Sequence, residues 1–208
     1  MPRESTKSVR DTAEVEGASI LPMVRRGERD GGPDGSADAQ RAVVWLPAGA
    51  RVLTRQGERP VEVLSAGMLV MSLGPGASWR EVTGVRAAAA PPMAGPDAAP
   101  VLIRREALMK GAPIRDTAVA PSAMLVLDGV TVPVAALVNG RSILREAAGP
   151  VGLYHAVYLA EPGQLIVDGA LVEVGGGEGG ALRRLAEGPE LDALRARIVE
   201  QAETLPLP

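Results

Sequence analysis

The chain contains one histidine, His155, and no cysteine among its 208 residues. The missing thiols exclude disulfides, thiolate metal sites and a cysteine nucleophile. One histidine cannot form a multi-histidine metal site, and it could act as a general base only beside a hydroxyl nucleophile such as Ser122 or Thr54. His155 lies in an alternating stretch, Leu153–Leu159, which favours a structural imidazole on a strand. We therefore predict neither a metal nor a cofactor, and we retain a Ser/Thr–His155 pair as the enzymatic alternative.

Other patterns with chemical potential have plainer interpretations. The glycine-rich stretches 74–76 and 175–180 lack the Gly-Lys-Ser/Thr ending of a phosphate loop, so they indicate a turn and a linker. The basic pairs Arg104-Arg105 and Arg183-Arg184 have no neighbouring aromatic residues for base stacking. The net charge of −3 gives no general attraction to nucleic acid. Nucleic acid is therefore not a predicted partner.

Apolar runs along the chain are short. None approaches the ~18 residues that a membrane span needs. The longest N-terminal one, Ala18–Val24, contains Pro22 and is bounded by Glu16 and Arg25, which is not the pattern of a secretory signal. We expect no membrane span and, by default, a cytoplasmic protein. A protein partner is an open expectation, and the sequence sets no oligomeric state.

The elements that would position any site are predicted to be mainly strands. Residues 1–40 are polar, with charges and breakers in no period, and are predicted to form a disordered leader. Residues 41–175 alternate short apolar runs with turns, and the pairs Asp128-Gly129 and Asp168-Gly169 are strong hairpin signals. This pattern predicts an all-β domain with one-turn helices at Glu106–Met109 and Val134–Leu137. The predicted strands are Ala42–Leu46, Arg51–Thr54, Val61–Leu64, Met68–Ser72, Glu81–Arg86, Val101–Arg104, Met124–Leu127, Val130–Val134, Leu153–Leu159, Leu165–Val167 and Ala170–Val174.

The C-terminal part changes period. Residues 176–188 are predicted to be a Gly-rich linker with a short apolar segment. Residues 189–204 are predicted to form an amphipathic helix of about four turns, because Leu191, Leu194, Ile198 and Ala202 follow helical spacing. The core is predicted to be aliphatic, since the chain has only two Trp, two Tyr and no Phe.

Two segments together carry a family pattern. Residues 49–67 read GARVLTRQGERPVEVLSAG, a short hairpin followed by Pro-Val-Glu-x-Leu. Further on come the pair Arg115-Asp116 and the run Leu137–Ile143, which reads LVNGRSI. Over residues 42–174 the chain resembles bacterial Hint (hedgehog/intein) domains, which implies a compact β fold of many short strands.

The resemblance also implies a mechanism that this chain lacks the residues to perform. In the family, a Cys near the start attacks the carbonyl of the preceding residue to form a thioester, and a block with Ser/Thr and His activates that bond. The nucleophile position falls on Trp45, or within one residue of it. The other positions that depart from the family pattern are Ala50 for a Thr, Met68 for an Asp, Ala123 for the activating His, and Glu161 or Pro162 for a later His.

We therefore predict a Hint-like domain that is inactive in autoprocessing and acts as a structural or interaction module. The alternative is residual self-cleavage or hydrolysis with a Ser/Thr nucleophile and His155. We further predict that Trp45 fills the position vacated by the nucleophile.

Overall fold

The computed structural model describes residues 42–74, 76–89, 99–145, 153–175 and 182–205. The predicted leader, residues 1–40, and residues 176–181 of the predicted linker lie outside these ranges. The described residues form fourteen strands, a short 3₁₀ helix at Val61–Val63, and two α-helices. The strands are β1 Ala42–Pro47, β2 Arg51–Thr54, β3 Gly57–Pro60, β4 Leu69–Leu73, β5 Ser78–Ala88, β6 Val101–Ile103, β7 Thr117–Val119, β8 Met124–Leu127, β9 Val130–Pro133, β10 Ile143–Arg145, β11 Tyr154–Leu159, β12 Gly163–Val167, β13 Ala170–Val174 and β14 Arg183–Arg184, and the helices are α1 Val134–Leu137 and α2 Pro189–Thr204.

The strands form one large and one small sheet. The large sheet has eleven strands in the order β1-β11-β5-β4-β2-β12-β13-β8-β9-β14, with β3 paired to β2 and a further pairing of β4 with β12. The small sheet has the order β10-β6-β7. All pairings are antiparallel except β14 with β9. The predicted all-β fold class is confirmed.

The two Asp-Gly pairs form the hairpin turns that the sequence predicts. Asp128 and Asp168 both have φ of 49°, and the following glycines have φ of 77° and 84°. Two consecutive positive φ angles are typical of the type I′ turn, whose twist matches that of the flanking strands. These turns set the register of β8 with β9 and of β12 with β13.

Two local predictions are wrong, and a third is confirmed. The predicted strand Val61–Leu64 is instead the 3₁₀ helix, and the preceding residues form β3 by pairing with β2. The predicted helical turn Glu106–Met109 is an irregular loop, because Glu106 has a left-handed φ of 59° and the Leu108 and Met109 N–H groups both donate to the Ala112 carbonyl. The predicted helix Val134–Leu137 is present.

A single aliphatic cluster joins the strands and the C-terminal helix. Its buried members are all Ala, Val, Leu or Ile. The predicted helix is confirmed as α2, which begins with Pro189 at its first turn. Its buried side chains, Leu191, Leu194, Ile198 and Ala202, lie on one face at the spacing expected for an amphipathic helix. The helix is therefore part of the folded core.

The end of β13 lies against the beginning of β1. Gly175 donates its N–H to the Val43 carbonyl at 3.3 Å. A Cβ atom at Gly175 would lie 2.7 Å from the Ala42 Cα, and its φ of 70° is in the glycine-favoured region. A glycine is required for this close approach. Within the described ranges, no helix is both long and apolar enough to span a membrane.

Candidate functional site

Strand β1 carries the position that the resemblance assigns to the nucleophile. Trp45 lies opposite Ala156 of β11, and Arg86 of β5 lies opposite the same alanine. The Arg86 guanidinium stands 5.8 Å from the centroid of the Trp45 ring, within the range of a cation–π contact. Because side chains alternate along a strand, Trp45 points away from the face that carries the buried Leu46. The ring is half-buried and lies outside the aliphatic core.

The peptide bond before Trp45 lies inside a hydrogen-bonded ladder. The Ala48 N–H donates to the Leu153 carbonyl at 2.8 Å, whereas the Val43 carbonyl accepts from Gly175 on the other edge of the strand. Alternate residues of an antiparallel strand direct their backbone groups to opposite edges. The Val44 carbonyl is therefore directed at β11, opposite Val157. The family nucleophile would attack the Val44 carbonyl. In this geometry that carbonyl is a hydrogen-bond acceptor in the pairing of β1 with β11.

The block that corresponds to the activating residues follows β7. It forms a tight turn in which the Ala123 N–H donates to the Ala120 carbonyl at 2.9 Å, and the Ala123 carbonyl accepts from Val134 at 3.0 Å. Ala123 is buried and Ser122 is exposed. Strand β7 lies against β1. The fold thus brings β7, which precedes Ala123, beside β1, which carries Trp45. The resemblance assigns the activating histidine to Ala123, which has only a methyl side chain.

The other family positions carry structural contacts. Ala50 is buried, and its carbonyl accepts from the Val61 N–H at 2.8 Å. Glu161 forms an exposed ion pair with Arg80. Pro162 is exposed at the start of β12. Ala50 and Pro162 have no group that could transfer a proton, and the Glu161 carboxylate is paired with Arg80.

His155 is buried on β11 between Leu46 and Ala87 in the flanking strands. It is 8% exposed, and its Nδ1 atom is buried without a hydrogen-bond partner. An unpaired buried polar atom costs stability and is uncommon in native proteins. At Nδ1, packing against neighbouring atoms is therefore the interaction that positions the imidazole, and no hydrogen bond does so.

In the described residues, no hydrogen bond joins His155 to the hydroxyl of Thr54 or Ser122. Thr54 Oγ1 donates to the Gly57 carbonyl at 2.7 Å and accepts from the Gln56 N–H at 3.2 Å. Across the sheet, Thr54 pairs with Val70, and Val70 in turn pairs with Arg80 of β5. His155 pairs with Ala87 of the same strand. That offset of seven residues corresponds to roughly 23 Å along the strand at about 3.3 Å per residue. Within the described chain, no hydrogen bond joins His155 to Ser122, which is exposed.

A polar cluster that the sequence did not predict lies around Arg115. Its guanidinium donates to Asp168 Oδ1 and to Glu58 Oε2, each at 2.7 Å. The other oxygen of Asp168 accepts from Thr117 Oγ1 at 2.8 Å and from the Arg51 N–H at 3.2 Å. Asp168 is only 3% exposed.

The cluster joins β2, the β2–β3 hairpin, β7 and the β12–β13 turn. The hydrogen bond to Glu58, and next the one to Asp168, hold the pKa of the Arg115 guanidinium above its ordinary value. A permanently charged arginine cannot transfer protons, so the cluster is a structural clamp. The sequence contained only its separate parts: the pair Arg115-Asp116 and the Asp168-Gly169 turn.

The run Leu137–Ile143 leads from the end of α1 to the start of β10 through a loop that one side chain organises. Asn139 Oδ1 accepts from the N–H groups of Arg141, Ser142 and Ile143 at 2.9 to 3.0 Å. Its Nδ2 donates to Ser142 Oγ at 3.0 Å. This bonding accounts for the Asn and Ser of the run without any catalytic role.

The structure offers little space for a cofactor at the surface near Met68. An open groove of about 250 Å³ is lined by Thr54, Arg55, Gln56, Gly67, Met68 and Leu69. Drug-sized ligands and cofactors usually occupy about 300 Å³ or more. In the part of the chain that the structure describes, no three His, Asp or Glu side chains are grouped as metal ligands.

The comparison with protein families agrees with this arrangement. A family model described as "Hint domain" matches residues 45–174, more than half of the chain. The matched residues begin at Trp45. The chain therefore belongs to the Hint domain family. No curated protein and no solved structure matches the chain.

Proposed function

We propose that this Hint domain does not perform the thioester chemistry of autoprocessing and acts as a structural or interaction module. The observation that carries the proposal is the absence of cysteine from the sequence. The resemblance assigns the nucleophile position to Trp45. A thioester needs a thiol, and neither Val44, Trp45 nor Leu46 offers a thiol or a hydroxyl.

The setting of β1 supports the proposal independently. Cleavage of the Val44–Trp45 bond would require the Val44 carbonyl to leave its ladder and become tetrahedral. Stabilising that oxyanion needs donors aimed at its developing charge. A ladder bond to β11 instead favours the planar ground state of the peptide. The backbone hydrogen bonds around position 45 thus stabilise the pairing of β1 with β11.

The alternative, residual self-cleavage or hydrolysis with Ser122 or Thr54 and His155, receives no support from the geometry. A nucleophile and its base need to lie about 2.6–3.2 Å apart, with some loosening in a free enzyme. Thr54 is committed to its own turn, and Ser122 is exposed whereas His155 Nδ1 is buried.

The test is the intact mass of the full chain with an N-terminal affinity tag, incubated with and without a thiol or neutral hydroxylamine. We expect no fragment ending at Val44 under any condition. A fragment ending at Val44 would overturn the proposal, and its loss in His155→Ala would support the hydroxyl alternative. Hydroxylamine can also cleave Asn-Gly bonds, but a break at Asn139–Gly140 gives a fragment of clearly different mass.

A further inference from the structure

Three dipeptides within the described ranges place Gly after Asp or Asn: Asp128-Gly129, Asn139-Gly140 and Asp168-Gly169. Such pairs are chemically labile, because the unhindered glycine nitrogen can attack the side-chain carbonyl carbon of the preceding residue. In the folded protein, the three pairs differ in how strongly hydrogen bonds and ion pairs restrain the Asp or Asn side chain.

Asp168 and Asn139 are both locked. The two carboxylate oxygens of Asp168 accept three hydrogen bonds, from Arg115, Thr117 and the Arg51 N–H. Its backbone carbonyl accepts from Ile114 at 2.9 Å. The Asn139 carboxamide makes four hydrogen bonds, and the Gly140 N–H donates to the Ile143 carbonyl at 3.2 Å. Neither side chain can rotate toward the next nitrogen without breaking several bonds.

Asp128 is open by comparison. It occupies the tip of the β8–β9 hairpin, and its carboxylate forms one ion pair, with Arg197 of α2, in which both side chains are 53% exposed. Exposed pairs of this kind contribute little to stability. The Gly129 N–H donates no hydrogen bond in the described part of the chain, and a Cβ at Gly129 would meet no atom within 4 Å.

We infer that Asp128-Gly129 is a site of spontaneous aspartate isomerisation in the folded protein, and that the fold protects the other two pairs. The Gly129 nitrogen bonds to Asp128 Cγ, the protonated carboxyl loses its hydroxyl, and this hydroxyl leaves with the amide proton as water. The product is a five-membered succinimide. Addition of water at the Asp128 main-chain carbonyl reopens the ring as isoaspartate, with no net change in mass.

Isomerisation would alter the contact between the hairpin and α2. The main chain then runs through Cγ, which adds one methylene to a two-residue type I′ turn. The free carboxylate moves to Cα and no longer occupies the position that pairs with Arg197. The modification therefore removes the Arg197 contact and changes the geometry of the turn that faces the middle of α2.

The experiment is to age the full chain at pH 7.4 and 37 °C for several weeks, beside the same chain in concentrated guanidinium chloride, and to locate isoaspartate by electron-transfer fragmentation of peptides. In the folded chain we expect at least about tenfold more conversion at Asp128 than at Asp168 or Asn139. The Asp128 side chain has one exposed ion pair to break, whereas Asp168 and Asn139 have three and four hydrogen bonds. In denaturant all three sites should convert. Equal conversion at Asp128 and Asp168 in the folded chain would overturn the inference, as would conversion of Asp128 in denaturant alone.

Asp128→Glu is the matched control, because it keeps the charge opposite Arg197 but would need a less favourable six-membered ring. It should remove the isoaspartate at this position. Hydrogen exchange of α2 should become faster in the aged wild type and stay unchanged in the aged Asp128→Glu variant. Equal exchange in the two aged proteins, despite isoaspartate in the wild type, would contradict the link to α2.

Discussion

At the scale of single residues, His155 carries a buried nitrogen without a partner. Leaving such a group unsatisfied costs about 1–3 kcal/mol. We expect His155→Leu, which is of similar size, to raise the free energy of unfolding by about 1 kcal/mol in urea titrations, because it removes the unpaired atom. His155→Gln, which keeps a polar group, should give no gain. A loss of stability in the leucine variant would show that the imidazole makes a favourable polar contact.

Arg115 is the residue whose removal should cost most among the charged side chains of the clamp. Arg115→Met leaves Asp168 buried without its guanidinium partner, and breaking such a pair is strongly destabilising. Arg115 itself is 41% exposed, so solvent screens part of this effect. We therefore expect the free energy of unfolding, measured by chemical denaturation, to fall by about 2 kcal/mol or more. Arg105→Met removes an exposed pair with Glu106 and should change stability by less than about 0.5 kcal/mol. Similar losses in the two variants would contradict the structural role of the clamp.

Glu173 of β13 should make stability depend on pH. Desolvation by burial raises the pKa of its carboxyl, and Arg184 opposes this in part. Because the folded-state pKa lies above the unfolded one, the protonated form favours folding, and this contribution is lost as pH rises through the folded pKa. Glu173→Gln should therefore be slightly more stable than the wild type at pH 7, by a few tenths of a kcal/mol. The difference should vanish below the ordinary glutamate pKa, which thermal unfolding across pH would show. If Glu173→Gln remained more stable than the wild type by the same amount in acid, burial of the charged carboxylate would not be the cause of the difference.

At the scale of elements, α2 is a part of the core. Ile198 is almost fully buried, whereas its neighbour Val199 is 44% exposed. We expect Ile198→Ala to lower the free energy of unfolding by about 2–4 kcal/mol. Val199→Ala is the matched control and should change it by less than about 0.5 kcal/mol. If neither substitution changed the free energy of unfolding, this would contradict the packing of α2 on the domain.

The elements also show what a sequence can predict. The type I′ hairpins and α2 were predictable, because Asp-Gly turns and helical spacing are local signals. Strand β3, Gly57–Pro60, was not, since it has no apolar alternation and forms through pairing with β2. The clamp was also beyond prediction, because Arg115 and Asp168 are 53 residues apart. Only the folded chain brings them within hydrogen-bond distance.

At the scale of the whole molecule, the chain has the β fold of the Hint domain family, and the proposed loss of autoprocessing concerns its site alone. The strands and turns that hold β1 beside β7 remain, and the aliphatic core includes both sheets and α2. By the resemblance, the positions that would act on the Val44–Trp45 bond fall on Trp45, Ala50, Ala123 and Pro162. A scaffold can keep its fold after such changes, because fold and site are separable properties.

The most direct test of this account is the intact mass of the N-terminally tagged full chain after prolonged incubation with a thiol at neutral pH. We predict a single species with the mass of the uncleaved chain, and no fragment beginning at Trp45. A fragment pair divided between Val44 and Trp45 would contradict the account, because it would show that this Hint domain still cleaves the peptide bond held in β1.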